Sequence, residues 1–174
     1  HFGKSALDLA RSVAPTLDKQ LVEEVAKLHS FFFDNELLAE VGAFPEVECS
    51  LKALRQRGFQ MLVASSNPSQ RIRAVLRACG LEPYFEECVG IESVCWGKPY
   101  PDIFLRAAEI ASANPSQCVI VGDSVYDMLA GVRAGGLCVG ITRRWSPPDA
   151  LIKAGASAVV KSLHGLVSLL TAVG

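Results

Sequence analysis

The sequence predicts an α/β fold: a Rossmann-like doubly wound parallel sheet over residues 42–174, preceded by a small all-helical module over residues 1–41. Three observations predict it. From residue 42 onward, short apolar runs alternate with helical repeats, the order that builds parallel strands joined by crossover helices. Before that, from Lys4 to about Val41, no strand signal interrupts a helical pattern. Finally, Cys118-Val119-Ile120-Val121 ends at Gly122 and delivers Asp123, Ser124 and then Asp127 to the start of a helical repeat. A buried strand opening at the mouth of a sheet has this form, and open α/β sheets bind their ligands at strand ends.

In the helical module, Leu7, Ala10 and Arg11 fall at helical spacing before a break at Pro15. Leu21, Val25, Leu28 and Phe32 then recur in steps of four, three and four. Gly42-Ala43-Phe44-Pro45 closes the module, with Pro45 in the first turn of a new helix carrying Val47, Leu51 and Leu54 and stopping at Gly58. Phe59 to Ala64 reads as a strand. Asn67-Pro68-Ser69-Gln70 reads as the start of the next helix, with Asn67 as cap, and that helix buries Ile72, Val75, Leu76 and Cys79 up to Gly80.

A weaker strand near Cys88 to Ile91 leads into Trp96-Gly97-Lys98-Pro99, and a helix from Pro101 turns Phe104, Ala107, Ala108 and Ala111 inward. After the strand ending at Gly122, a helix with Val125, Met128, Leu129 and Val132 inward stops at Gly135-Gly136. Leu137 to Ile141 and Ala158 to Val160 complete the strands. A short helix from Pro148 to Lys153 joins them, and a closing helix spans Leu163 to Ala172.

Half of the 174 residues are hydrophobic, 20% are charged and the net charge is −1. This is a folded, apolar-rich chain with no electrostatic footprint for nucleic acid or an anionic membrane. Its charge-free stretches are too short or too polar to span a bilayer. The six cysteines, at 49, 79, 88, 95, 118 and 138, show no CxxC spacing and sit mostly in apolar patterns. They fit reduced thiols in a cytoplasmic setting better than zinc ligands or disulfides.

Three strand ends carry polar groups: Ser65 and Ser66, Lys98 ahead of its helix, and Asp123 with Asp127. Parallel strands end on one side, so all of them open on one edge of the sheet. A hydroxyl, N–H groups at a helix start, a compact ammonium and two carboxylates able to share Mg²⁺ with water and phosphate together make a phosphate site. Each member also has an ordinary structural reading. Ser65 and Ser66 suit turn chemistry, Lys98 suits a solvated loop, and Ser124 with Asp127 has the spacing of a capping box.

These segments resemble the haloacid dehalogenase (HAD) superfamily of phosphohydrolases, in particular the phosphoglycolate phosphatase-like group with a helical cap. Ala43-Phe44-Pro45-Glu46-Val47 through Arg57-Gly58 resembles the proline-led helix before that family's second motif, and Val63-Ala64-Ser65-Ser66-Asn67 resembles the second motif itself. Gly97-Lys98-Pro99-Tyr100-Pro101-Asp102-Ile103-Phe104 is similar to the third motif, and Val121-Gly122-Asp123-Ser124-Val125-Tyr126-Asp127 to the fourth. The resemblance implies a Mg²⁺-dependent phosphatase acting on a small phosphorylated metabolite through an aspartyl-phosphate intermediate. Ser65 would bind the transferring phosphoryl group with the Ser66-Asn67 turn, Lys98 would neutralise its charge, and Asp123, assisted by Asp127, would ligate the metal. Gly122 ahead of Asp123 resembles the phosphatases rather than the related sugar-phosphate mutases, and the acidic pair argues against a metal-free dehalogenase.

The chain departs from the family in one respect: it holds no Asp-x-Asp-x-Thr motif on a strand before the cap. The nucleophile and the acid/base carboxylate are therefore expected outside it, on about twenty N-terminal residues or another chain completing the sheet. That strand lies between those ending at Ser65 and Asp123, so without it the sheet has two unpaired inner edges and an exposed apolar face. One substitute is Phe31-Phe32-Phe33-Asp34-Asn35-Glu36-Leu37-Leu38 as a degenerate first motif, although the helical stripe runs straight into it. A non-catalytic HAD-like pseudo-enzyme or interaction module that keeps the phosphate pocket is the alternative function. Phe2, Lys4 and Arg11 of the cap could meet substrate, but their spacing selects none.

Overall fold

A computed structural model describes residues 11, 15–16, 18–143 and 145–172. Leu7, Ala10, Phe2 and Lys4 lie outside the described residues. The first helix, α1, spans Lys19–Phe32, and Asp18 caps it by accepting from the N–H groups of Gln20 (2.7 Å) and Leu21 (3.1 Å). The chain then widens into a π-helical turn, Phe33–Leu37, and a 3₁₀ turn, Leu38–Glu40, before running extended. Residues 31–38 are thus helical, and the strand that a first motif would need is not there. The Leu21, Val25, Leu28 and Phe32 stripe is exposed, and Val22 alone of α1 is buried.

Arg71 ties this helical module to the core. Its guanidinium pairs with both carboxylate oxygens of Asp34 (2.7 and 2.8 Å), reaches the Ser30 carbonyl (3.3 Å) and lies 5.2 Å from the centre of the Phe33 ring. The pairing holds the Asp34 carboxyl below the usual carboxylate range, chiefly through the hydrogen bond. Arg71→Ala is expected to speed amide exchange across Lys19–Phe32 while leaving the core strands protected; equal protection in both proteins would contradict the tether.

The core runs α2 (Val47–Gln56), β1 (Leu62–Ala64), α3 (Ser69–Ala78), β2 (Glu87–Val89), α4 (Asp102–Ile110), β3 (Val119–Gly122), α5 (Val125–Ala134), β4 (Leu137–Ile141), α6 (Pro148–Lys153), β5 (Ala158–Val160) and α7 (Leu163–Ala172). All strand pairs are parallel, with Val63 opposite Cys88, Ile120 opposite Cys138 and Gly140 opposite Val159. Side chains alternate between the two faces of the sheet. Ile120, Cys138 and Val159 pack with Met128 and Leu151, whereas Val119, Val139 and Val160 pack with Leu54 and Leu166. A third cluster, Leu51, Ile72, Leu76, Leu81 and Cys88, closes α2 and α3 over β1 and β2. Each fully buried leucine here contributes about 2 kcal/mol by leaving water.

The sheet falls into two parts. β1 pairs with β2 and β3 with β4, but β1 and β3 do not pair with each other, so among the described residues each keeps a free edge. These are the two inner edges expected from the missing strand, and Val121 on β3 is 37% exposed. No helix among the described residues is long and apolar enough to cross a membrane.

Two local expectations are corrected. Asn67 does not cap α3: the helix begins at Ser69 after Pro68, and the Ser69 N–H goes to the Glu92 carboxylate (2.9 Å) while the Asn67 N–H turns back to Ser65 Oγ (3.2 Å). A carboxylate at a positive helix end outcompetes a neutral amide. On α5 the buried residues are Asp127, Met128, Ala130, Gly131 and Ala134, while Val132 is exposed. The cause is Gly131, where a Cβ would stand 2.5 Å from Cys138 Sγ, so the small-residue face lies closest to the sheet.

Candidate active site

Lys98 joins the strand ends. It lies on the irregular segment between β2 and α4, and its Nζ donates to the Ala64 carbonyl at the end of β1 (3.0 Å) and pairs with Asp127 Oδ1 at the start of α5 (2.7 Å). Its side chain is 8% exposed and that of Asp127 9%, so this is an ion pair shielded from water, with Phe104 below it at 5.0 Å. Ser65 follows Ala64, and its N–H continues the ladder to the Val89 carbonyl (3.0 Å). The solvated-loop reading of Lys98 is thereby set aside: it is a buried cation held between the end of β1 and the first turn of α5.

The capping box forms as its spacing predicts. Ser124 Oγ donates to Asp127 Oδ2 (2.5 Å) and accepts from the Asp127 N–H (3.2 Å), while the Ser124 N–H also reaches Oδ2 (3.1 Å). Both Asp127 oxygens are therefore engaged, one by Ser124 and one by Lys98. Gly122 is required by this packing: a Cβ there would stand 2.4 Å from Asp127 Cβ, which leaves no room for an acid.

Asp123 stands apart from these bonds. Burial pushes its carboxyl above the usual range, the nearby Asp127 charge adds to this, and Arg143 and a hydrogen bond from the Trp145 side chain oppose it. Asp123 forms no ion pair within 4.0 Å among the described residues, and such an acid in a partly dry site is a ready oxygen ligand for a hard cation. No cluster of three metal-ligating acids, histidines or cysteines exists among the described residues. One or two carboxylates completed by water and phosphate is the arrangement Mg²⁺ ordinarily accepts, so the donor set fits that ion.

The structure bonds Lys98 to Asp127 and to the carbonyl of Ala64, the residue before Ser65, and places Asp123 in the charge field of Asp127; Ser65 Oγ itself is bonded to Asn67 rather than to Lys98. The Ser69 N–H at the α3 start is taken by Glu92, so that donor is not offered to a phosphate. Arg143 and Trp145, which face Asp123, escape a motif-based reading. The available signal was the position of Arg143 just past the end of β4, at the same sheet edge.

A doubly wound core with a helical cap and a serine, lysine and acid cluster across its strand ends defines a class of phosphate-handling α/β enzymes. The chain belongs to the haloacid dehalogenase-like hydrolases, whose family model matches residues 2–135, and within them to the phosphoglycolate phosphatase-like group. It is 33% identical to a plasmid-borne phosphoglycolate phosphatase of Cupriavidus necator over 98% of the chain and 75% of that relative. It is 26% identical to the pyrophosphatase PpaX of Bacillus pumilus, over 90% of the chain and 72% of the relative. A phosphoglycolate phosphatase of Haemophilus influenzae is 30% identical over 79% of the chain, which spans 62% of that protein's length. Among solved structures, a hydrolase from Pseudomonas syringae superposes with a TM-score of 0.88 at 26% identity, covering 99% of this chain and 80% of that one.

Proposed function

We propose that the protein is a Mg²⁺-dependent phosphatase that hydrolyses a small phosphorylated metabolite through an aspartyl-phosphate. The observation that carries this reading is the position of Lys98, a buried cation between the Ser65 strand end and Asp127. In this reading Ser65 Oγ and the Ser66-Asn67 turn hold the phosphoryl oxygens, and the Lys98 ammonium offsets their charge. Asp123 would hold the metal, and Asp127, fixed by Ser124, would keep Lys98 aimed and add negative field for the cation. Bound Mg²⁺ would supply further charge neutralisation at the phosphoryl group.

The nucleophilic carboxylate is proposed to arrive on a strand that pairs with the free edges of β1 and β3, which border the cluster. The close contact at Gly122 favours a phosphatase over a mutase bearing an acid at that position. Six free cysteines fit a reducing, cytoplasmic setting.

A phosphomonoester panel with Mg²⁺, run on the protein together with the strand that carries the nucleophile and repeated after chelation, tests the proposal: metal-dependent release of phosphate from at least one member supports it. Phosphate binding without any turnover would instead favour the non-catalytic module.

A further inference from the structure

Arg143 carries an inference that rests on this phosphatase reading and goes further. Just past β4 the chain folds back sharply: Thr142 Oγ1 donates to the Ser146 carbonyl (3.1 Å), and the Ser146 N–H donates to the Arg143 carbonyl (3.0 Å). Ser146 is buried, so this return is anchored. It brings the Trp145 side chain into hydrogen bonding with Asp123 and the Arg143 guanidinium into the charge field of the same carboxylate.

The guanidinium lies 4.6 Å from the centre of the Phe44 ring, which projects from the segment linking the helical module to the core. Among the described residues its one polar contact is from Nη1 to the Lys161 carbonyl at 3.5 Å, and no carboxylate comes within 4.0 Å of it. Lys98, by contrast, is committed to Asp127 at 2.7 Å. A guanidinium lying over a ring keeps in-plane N–H donors, here all but the one given to Lys161, and they form a fork that matches a carboxylate or phosphate.

The geometry points to Arg143 as the residue that binds a second anionic group of the substrate, a carboxylate or phosphate joined within a few atoms to the phosphoryl group held at Ser65 and Lys98. The substrate class is then a small phosphate ester or anhydride with two anionic ends. The names of two relatives, a phosphoglycolate phosphatase and a pyrophosphatase, each denote a substrate of that form. Arg143 is a specificity residue in this account, and its effect is on binding of the non-reacting end.

The test is calorimetric titration of the protein, in Mg²⁺, with 2-phosphoglycolate, pyrophosphate and methyl phosphate, for wild type, Arg143→Gln and Arg143→Lys. Arg143→Gln is expected to weaken the two dianionic-ended probes by roughly ten- to a hundredfold, the worth of a lost charge-assisted hydrogen bond, and methyl phosphate by less than about threefold. Arg143→Lys falls between, since it keeps charge and loses the fork. The loss is the larger on 2-phosphoglycolate if a carboxylate is the natural group, and the larger on pyrophosphate if a phosphate is. Equal losses on all three probes, or no loss on any, overturn the proposal. A wild-type protein that binds none of the three overturns the phosphate site itself, and a wild type that binds all three equally overturns only the role of Arg143. Should the glutamine variant fail to fold, the lysine variant carries the comparison.

Discussion

Replacing Lys98 with methionine is expected to cost about 3–5 kcal/mol of folding stability, the usual penalty for breaking a buried ion pair from one side. Lys98 and Asp127 are both more than nine-tenths shielded, and Ser124 alone would be left facing the Asp127 charge. Most of the loss arises from that stranded carboxylate rather than from the attraction itself. The double variant Lys98→Met, Asp127→Asn should therefore recover much of it, since neither charge then remains. Urea unfolding measures both. An unchanged midpoint in Lys98→Met would mean that the pair behaves like a solvated surface contact.

Asp123→Asn is expected to lower phosphate release at least about a hundredfold, because it removes the carboxylate proposed to hold the metal. The same change should stabilise the fold at neutral pH. Burial raises the folded pKa of Asp123 above its unfolded value, with the Asp127 charge as a second cause, so the folded state holds this proton more tightly. Its stabilising contribution is present below the unfolded pKa and is lost as pH rises through the folded one. The asparagine variant escapes that loss, so its advantage in melting temperature should widen as pH rises above about 4, the unfolded value. Activity lost with stability gained is the mark of a residue placed for function. A variant less stable at pH 7 would show that Asp123 supports the fold instead.

Much of this was legible in the chain. Leu137–Ile141, Ala158–Val160, Pro148–Lys153 and Leu163–Ala172 form the elements their patterns predict, because each pattern is complete within the run itself. The split of the sheet between β1 and β3 was likewise readable, since the strand expected between them has no counterpart in the sequence. What escaped depends on distant partners. The acid that caps α3 is Glu92, 23 residues away from Ser69, so local spacing pointed to Asn67 instead. The buried face of α5 is set by Gly131 against Cys138, a contact that an apolar count over Val125 and Val132 cannot register. Arg143 and Trp145 were invisible because a loop carries no period; only the path of β4 brings them to Asp123.

One magnesium-held phosphate shared by Ser65, Lys98 and Asp123 is the proposed site. Its most direct measurement is the affinity of the protein for inorganic phosphate with and without Mg²⁺, in wild type and in Asp123→Asn. Linkage requires that each ligand tighten the other by the same factor if they meet at one site. The prediction is phosphate binding strengthened by Mg²⁺ in the wild type and indifferent to it in Asp123→Asn; phosphate binding indifferent to Mg²⁺ in the wild type would contradict the account.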